Sequence, residues 1–323
     1  MPRSLDCLCA GIIVADSVCQ PIARMPPPGT LARTDRVEFT IGGCAANVAV
    51  DMARLGLAVG ISGRVGDDVF GREVRDRLVA SSVDCTGLVL SQTAPTSSTF
   101  VLNVRGEDRR FIHCVGANAE YDGLQLSEQE IGSSRVLYVG GFGLLEAMSP
   151  ERVVRMFRLA REAKTTTILD VVLPDEGEGK HLLHWIQEVL PWTDFFFPNN
   201  DESAQLLRGE TDPRMQADRF RELGAKTVVI TCGSQGSLLV SPTHRLKSGV
   251  YPVEPVDATG TGDAFVSGFV LGLLSGATPE TCLKMGTAMG ASCVRSMGAT
   301  TGVFDVEELH QFIDAHSLLV ERW

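Results

Sequence analysis

A carboxylate stands directly behind a Gly-Thr-Gly turn in the stretch DATGTGDAFVSGF, residues 257–269. The apolar run after Asp263 predicts a helix, so the amides of residues 260–263 lie at a helix N-terminus, where about four N–H groups lack intrahelical partners. Such amides can hold an anion, and a carboxylate beside them can act as a general base. The alternative is a glycine-rich loop in which Asp263 only caps the helix.

Two well-known phosphate-binding loops are excluded by the sequence. The P-loop pattern G-x-x-x-x-G-K-[ST] fails because the Gly179-Lys180 pair is followed by His181. The dinucleotide-binding pattern G-x-G-x-x-G fails at its third glycine, which is Phe265 here. The turn before Asp263 therefore predicts a different kind of anion site.

Three other stretches place polar groups where a ligand could bind. In TIGGCAANVAVDMARLG a pair of glycines precedes a predicted helix with an asparagine one turn inside, which suits close approach of a ligand. In FFFPNNDESAQLL the oxygens of Asn199 and Glu202 follow an apolar strand and suit a hydrated magnesium ion. In VVITCGSQGSLLV, Gly233 and Gly236 would let a nucleotide lie against a turn. The alternatives are a strand-to-helix turn, an acidic helix N-terminus and a tight hairpin.

The composition is that of an acidic globular protein. Apolar residues are 44% and charged residues 21% of the 323, which is enough apolar surface for a sizeable core. A net charge of −11 argues against nucleic-acid or anionic-membrane partners, which need a basic face. Nine cysteines without a C-x-x-C pair predict free buried thiols in a reducing compartment. No signal peptide and no apolar run of ~20 residues is found, so we expect a cytoplasmic protein.

The elements that position these motifs follow an alternating pattern. From Arg135 onward apolar strand runs alternate with helical segments, which indicates a parallel sheet covered on both faces. CLCAGIIVAD predicts one buried first strand. The last third is predicted to be helical over 262–276, 278–296 and 305–316.

Two β-rich segments, about 20–41 and 97–115, do not fit the βα order. Arg105-Gly106-Glu107-Asp108 in the second predicts a hairpin turn. We expect the two segments to pair as a small separate sheet within a single domain over 1–323.

In their order along the chain, the motifs resemble the ribokinase-like (PfkB-type) carbohydrate kinases. They are GGCAANVAVDMARLG, GRVGDDVFG, PNNDE, TCGSQG and DATGTGDAFVSGF, and the resemblance runs from about residue 5 to residue 315. It implies a three-layer α/β/α domain with a mostly parallel sheet and a small β-sheet lid. It also implies magnesium-dependent transfer of the γ-phosphate of ATP to a hydroxyl of a sugar or sugar-like substrate. Homodimers paired through the lids are implied as well.

The resemblance assigns roles to residues at matching motif positions. Asp263 matches the catalytic base, and the amides of Gly260, Thr261 and Gly262 match its anion hole. Asn199 and Glu202 match the motif that organises magnesium. The nucleotide-binding positions are Asn199, Thr231, Gly233, Ser234, Gly236 and Gly262.

Substrate and monovalent-cation positions are implied in the same way. The sugar-hydroxyl contacts, which also include Asp263, match Asp16, Gly42, Gly43 and Asn47. A loop that binds a monovalent cation through backbone carbonyls and one carboxylate is the basis for expecting activation by potassium. Its positions are Asp257, Thr259, Cys293, Ser296 and Gly298.

Three departures from the family's pattern bear on the substrate. Val14 and Phe142 stand where ribokinases carry polar residues, and Val172 interrupts the D-x-N-x-R pattern that would begin at Asp170. These residues predict a pocket less polar than a ribose pocket, so the substrate stays open between sugars, sugar acids and nucleosides. The alternatives are a nucleoside kinase of the same fold and a non-catalytic, small-molecule-binding descendant. Asp263 and Glu202 favour an enzyme, because a binding protein has no evident need of a base.

Overall fold

A ten-stranded sheet forms the centre of the computed structural model, which describes residues 4–107, 110–174 and 182–323. Seven neighbouring strands are parallel, and three antiparallel strands extend one edge. The parallel strands, from the other edge, are β5 Asp84–Ser91, β4 Val59–Gly66, β1 Leu5–Gly11, β8 Ser134–Phe142, β9 Thr166–Val171, β10 Phe195–Phe196 and β11 Thr227–Thr231. The antiparallel strands are β12 Ser237–Val240, β13 Arg245–Ser248 and β14 Val320–Arg322.

Helices connect these strands across the described parts of the chain. They are α1 Cys44–Arg54, α2 Val69–Ala80, α3 Glu128–Gly132, α4 Pro150–Glu162, α5 Leu182–Val189, α6 Asn200–Leu206, α7 Pro213–Glu222, α8 Thr261–Leu274, α9 Pro279–Cys293 and α10 Val306–Ala315. The last three agree with the predicted helical segments to within a few residues. In the described ranges no helix combines the length and the apolar character that crossing a membrane requires.

Alternate residues of the central strands enter two different cores. Cys7 and Cys9 of β1 pack in one cluster with side chains of α1 and α8, such as Phe269. Leu8 and Ala10 pack in the other cluster with α4 and its neighbours. The sheet is therefore covered on both faces, as the apolar strand runs predict, and the three-layer α/β/α fold is confirmed.

A second sheet of four strands lies apart from the first. Its strands are β2 Val14–Ile22, β3 Val37–Gly42, β6 Ser98–Val104 and β7 Arg110–Cys114, in the order β3-β2-β6-β7. The separate small sheet is thus as predicted, although β2 begins ahead of the segment assigned to it. Asp108 of the predicted hairpin turn lies outside the described residues.

The prediction of a single first strand over CLCAGIIVAD is wrong. The chain leaves the large sheet at Gly11 and enters the small one at Val14. Gly11 has φ +147°, and a Cβ there would lie 2.0 Å from the carbonyl oxygen of Gly140. Only glycine fits this crossing, and it lets two buried β segments, which look continuous in the sequence, join different sheets.

The nine cysteines are free thiols in different environments. Cys7, Cys9, Cys282 and Cys293 are buried, and Cys114 is exposed. The expectation of free thiols agrees with the structure, but the expectation that they are buried holds for only part of them.

Asp51 is a buried carboxyl group on α1. It is fully buried, and neither carboxylate oxygen has a hydrogen-bond partner among the described residues. Burial raises the pKa of Asp51 well above its ordinary value, the negative charge of Asp263 adds to the rise, and Arg54 opposes it. The folded protein therefore holds the Asp51 proton to a higher pH than the unfolded chain does.

We expect Asp51→Asn to gain stability over the parent as the pH rises. An unfolded chain releases this proton near pH ~3.9, so between that pH and the higher folded pKa the parent loses stability with rising pH. Asparagine does not ionise, so the difference in free energy of unfolding should widen by up to ~1.4 kcal/mol per pH unit in that window. Urea unfolding over a pH series measures it, with the exposed Asp76→Asn as control. Parallel profiles for Asp51→Asn and the parent would contradict the prediction.

Candidate active site

Asp263 lies in the first turn of α8 and lines a cavity at the carboxyl ends of the central strands. The residue is 8% exposed, and its Oδ2 accepts a hydrogen bond of 2.8 Å from Asn47 Nδ2 on α1. Burial raises the pKa of Asp263 to about 6, against the opposing hydrogen bonds from Asn47 and the Cys44 thiol. The residue is thus an oriented carboxylate that can take up a proton near neutral pH.

The N-terminus of α8 requires glycine and brings amides to the cavity. Gly260 has φ +74°, and a Cβ at this position would lie 2.4 Å from the Ala299 Cβ. Gly260 and Gly262 both line the cavity. The amide of Thr261, by contrast, donates to the carbonyl of Ala258 at 3.3 Å. Of the three predicted anion-hole amides, those of Gly260 and Gly262 are therefore the better placed.

Asn199 and Glu202 form a capping box at the start of α6 and also line the cavity. Asn199 Oδ1 accepts from the amide of Glu202 at 2.8 Å, and Glu202 Oε2 accepts from the amide of Asn199 at 2.9 Å. The helix-start alternative and the ligand-binding prediction are therefore compatible, because the cap orients a carboxylate toward the cavity. Burial raises the pKa of Glu202 to about 7, and the charges of Asp263 and Asp201 add to this.

Asp16, Gly42 and Gly43 meet at the edge of the small sheet. A Cβ at Gly42 would lie 1.9 Å from Asp16 Oδ2, and one at Gly43 would lie 2.6 Å from the carbonyl oxygen of Ile12. The two glycines thus let the start of α1 approach β2, and Asn47 follows one turn later. Burial raises the pKa of Asp16 to about 6.

The register of the small sheet adds a row of polar side chains that the sequence analysis did not include. Asp16 on β2 pairs with Thr40 on β3 and with Thr99 on β6, and Thr99 pairs with His113 on β7. Paired residues project from the same face, and Thr99 Oγ1 lies 3.0 Å from His113 Nδ1. Phe111, two residues before His113, projects from this face too.

The turn after β11 has the conformation that its glycines predict. Gly233 and Gly236 adopt φ +53° and φ +91°, and a Cβ at Gly236 would lie 1.9 Å from the carbonyl oxygen of Ser248. Thr231 lines the cavity, and Ser234 lies in the turn that joins β11 to the antiparallel strand β12. β11 and β12 thus form the tight hairpin that was the alternative interpretation, and this hairpin begins beside the cavity.

The predicted cation-binding residues come together in two adjoining loops. Asp257 Oδ1 accepts from the amide of Thr259 and Oδ2 from the amide of Gly298, at 3.0 Å each. The Cys293 thiol donates to the carbonyl of Thr259 at 3.2 Å, and the amide of Ser296 donates to the carbonyl of Cys293 at 3.2 Å. Asp257 therefore joins the loop before α8 to the loop after α9.

Cys44, Asp170 and Tyr138 are site residues whose roles the sequence analysis did not identify. Cys44 is the first residue of α1, Asp170 lies at the end of β9, and both line the cavity. Tyr138 Oη donates to Asp170 Oδ2 at 2.5 Å. The available signal was the position of Asp170 at the carboxyl end of a buried strand, where α/β sheets bind ligands.

Of the three apolar residues expected to line the pocket, one lines the cavity. Val172 lines the cavity, together with Val171, Phe197 and Val266. Phe142 instead packs in the core beside Trp185, with a centroid distance of 6.1 Å, and Val14 is buried. Since β8 continues to Phe142, that side chain points into the helix-covered core rather than into the cavity.

The cavity concentrates negative charge. Its described lining contains three carboxylates, Asp170, Glu202 and Asp263, and no Lys, Arg or His. Burial raises the pKa of Asp170 well above its ordinary value, and the charges of Asp263 and Glu202 add to the rise. An oxygen-rich cavity whose carboxylates repel one another fits a magnesium ion, which Asp170, Glu202 and Asn199 would hold directly or through water.

Comparison with known proteins places this chain in one class of enzymes. The model of the pfkB family carbohydrate kinases matches residues 5–305. The chain is 26% identical over 310 residues to a nucleoside kinase of Methanothermobacter thermautotrophicus, with 95% of each chain covered. It is 30% identical over 288 residues to the aminoimidazole riboside kinase of Salmonella typhimurium, with 86% of this chain and 89% of the other covered. The structure of Arabidopsis thaliana ribokinase complexed with ribose and ATP is similar with a TM-score of 0.82 at 22% identity, over 95% and 98% of the two chains.

The molecule is thus a ribokinase-like kinase, and the chain belongs to the pfkB family of carbohydrate kinases. It transfers the γ-phosphate of ATP to a hydroxyl of a sugar or sugar-like substrate. The resemblance and the enzyme assignment are confirmed, and a non-catalytic binding protein is set aside.

Proposed function

We propose that Asp263 is the catalytic base of this kinase. The observation that carries the proposal is its burial beside the N-terminus of α8, with Asn47 fixing one carboxylate oxygen. The other oxygen can accept the proton of the substrate hydroxyl and aim that hydroxyl at phosphorus. Phosphoryl transfer asks mainly for positioning and charge neutralisation, so one oriented base suffices.

Charge on the transferred phosphoryl group is stabilised by the amides of Gly260 and Gly262 at the start of α8. The nucleotide lies along Thr231 and the turn of Gly233, Ser234 and Gly236, where glycine leaves the backbone accessible. Magnesium, when bound, supplies positive charge that offsets repulsion between the phosphates and the cavity's carboxylates. Potassium, when bound, would neutralise charge at the two loops that Asp257 joins and would be held by their backbone carbonyls.

The substrate that fits best is a nucleoside or a similar riboside. Asp16, the glycine pair and Asn47 offer acceptors and donors for sugar hydroxyls. Beyond Asp16, the same face of the small sheet carries Phe111 and His113, two aromatic side chains that suit stacking with a heterocycle. A substrate carboxylate placed near Asp263 would be repelled by the three acidic side chains of the adjoining cavity, which disfavours sugar acids.

A substrate panel tests this function. We expect magnesium-dependent ADP release, with kcat/KM at least about tenfold higher for a riboside than for free ribose, since one pocket contact is typically worth 1–3 kcal/mol. Sugar acids should be poor acceptors. A coupled assay with sugars, sugar acids and nucleosides, run in potassium, sodium and a large organic cation, gives the substrate order and the cation response together. Preference for a sugar acid would contradict the riboside, and equal rates in the three salts would contradict the role of potassium.

We also propose a homodimer formed through the small sheet. Phe100 is paired with Ile112, so both project from the face opposite Asp16, and Val37 lies on the same face. These side chains are 53%, 61% and 61% exposed, respectively. A small sheet is marginal unless it packs on something, and a second copy would cover this apolar patch. A solution mass of one chain at micromolar concentration would contradict the dimer.

A further inference from the structure

Three potential metal ligands from three different elements converge in the cavity. Cys44 comes from α1, Asp170 from β9 and Asp263 from α8, and their sulfur and carboxylate oxygen atoms lie within 4.8 Å of one another. Among the described residues, this is the group in which at least three His, Cys, Asp or Glu side chains bring their ligand atoms within that distance. Ligand atoms around a tetrahedral zinc ion are about 3.3–3.6 Å apart, so binding would draw the atoms of this set together by at most about 1.5 Å.

Each of the two carboxylates is already oriented by a neutral donor on one oxygen. Tyr138 Oη donates to Asp170 Oδ2 at 2.5 Å, and Asn47 Nδ2 donates to Asp263 Oδ2 at 2.8 Å. Hydrogen bonds of this kind orient the ligands of metal sites and raise metal affinity. These hydrogen bonds are independent of the close approach of the three ligands. Tyr138 lies on β8 whereas Asp170 lies on β9, and Asn47 lies on α1 whereas Asp263 lies on α8.

The donor set selects a class of cation. A thiolate is a soft ligand that favours Zn²⁺ or Cd²⁺, whereas Mg²⁺ takes oxygen ligands in octahedral geometry. One sulfur and two carboxylates leave a fourth position open toward the cavity, which is the pattern of a zinc ion with three protein ligands. The described lining of the cavity holds no basic side chain that would repel a cation.

We propose that Cys44, Asp170 and Asp263 bind a thiophilic divalent cation such as Zn²⁺, and that its binding inhibits the kinase. The thiol releases its proton to solvent as the sulfur–metal bond forms. With the ion bound, Asp263 cannot accept a proton from the substrate hydroxyl. The inhibitory part rests on the proposed function of Asp263, whereas the binding site itself does not.

Metal binding is tested on the resting protein without nucleotide, so that no turnover is needed. Co²⁺, a spectroscopic substitute for Zn²⁺, should give a sulfur-to-cobalt charge-transfer band, and Zn²⁺ should compete it away. Competition with a chromophoric chelator measures Zn²⁺ affinity in the parent, Cys44→Ser, Asp170→Asn and the exposed-thiol control Cys114→Ser. We expect the band and the affinity in the parent and in Cys114→Ser. Cys44→Ser should lose the band and about a hundredfold or more in affinity, at least the usual cost of weakening a metal site's surroundings.

Inhibition is measured separately, as turnover at saturating magnesium with rising Zn²⁺. Inhibition of the parent should be reversed by a chelator and should need far more Zn²⁺ in Cys44→Ser. Melting curves establish whether each variant is folded. If a variant is not folded, the cobalt band and the Zn²⁺ inhibition of the parent still test the proposal. Absence of the cobalt band in the parent, or equal Zn²⁺ affinity in the parent and a folded Cys44→Ser, would overturn the site. Full turnover with Zn²⁺ bound at Cys44 would overturn the inhibition.

Discussion

Asp263→Asn is expected to lower turnover by about a hundredfold or more, the usual contribution of a positioned acid–base group. Asparagine preserves the size of the side chain and an oxygen that can accept the hydrogen bond from Asn47, but it cannot accept the proton of the substrate hydroxyl. The structure shows no side-chain cap at the start of α8, where Gly260 is the N-cap, so the remaining structural role of Asp263 is to accept from Asn47, and asparagine would keep that role at little cost. The magnitude of the loss therefore separates the two roles.

The pH profile gives the same experiment a second readout. Burial raises the pKa of Asp263 to about 6, and the base acts only when it is ionised. Parent kcat/KM should therefore fall as the pH drops below about 6, and Asp263→Asn should lose the contribution of Asp263 to this fall, which leaves only the titrations of Asp16 and Glu202. ATP affinity should stay similar or improve, because a negative charge beside the γ-phosphate is removed.

Asp201→Asn is the matched control for Asp263→Asn. Asp201 is an exposed acid of α6 whose charge acts on Glu202, so its removal changes the charge near the cavity without touching the base. We expect its turnover to stay close to that of the parent, and melting curves should show both variants folded. Near-normal turnover in a folded Asp263→Asn variant would defeat the assignment of the base.

Alanine at the two glycines of the proposed anion hole should have opposite effects on stability. Gly260→Ala should lower the free energy of unfolding by roughly 2–5 kcal/mol, since φ +74° strains an L-residue and the new methyl overlaps Ala299. Gly262→Ala should leave stability unchanged or raise it by up to ~1 kcal/mol, because its Cβ meets no described atom within 4 Å and alanine favours the helix. Urea unfolding measures both changes.

Turnover should nevertheless fall in Gly262→Ala, because Gly262 lines the cavity and its methyl would occupy the space in which a phosphoryl group approaches the amides. Displacement of a reacting group by about 1 Å can cost about a hundredfold in rate. For Gly260→Ala, the variant Gly276→Ala is the control for backbone strain without steric overlap, since Gly276 has φ +71°, lies beyond the far end of α8 and has no described atom within 4 Å of its Cβ position. A stable and fully active Gly262→Ala variant would contradict close approach of the phosphoryl group at this turn.

The sequence by itself determined the features whose cause is local. The glycine turn before Asp263, the helix that follows it and the strand–helix placement of Asn199 and Glu202 depend on neighbours a few residues away. Backbone conformation and capping act over that distance, so the glycine turn, the helix that follows it and the polar helix start at Asn199 could be predicted. The apolar strand runs likewise predict the two-sided sheet.

The separation of β1 from β2 was hidden from the sequence, because its cause is the carbonyl of Gly140, far along the chain from Gly11. The side-chain position of Phe142 was misjudged for a similar reason, since a motif position does not say toward which core a strand residue points. In a strand, a shift of one residue exchanges the two faces.

Only the tertiary structure brought Cys44, Asp170 and Tyr138 to Asp263, and Thr99 and His113 to Asp16. The first group meets because β8 and β9 are neighbours in the large sheet and α1 and α8 pack against each other above it. The second group meets because of the register of β2, β6 and β7. Strand order and register are set by the packing of the whole chain, and no local pattern of residues encodes them.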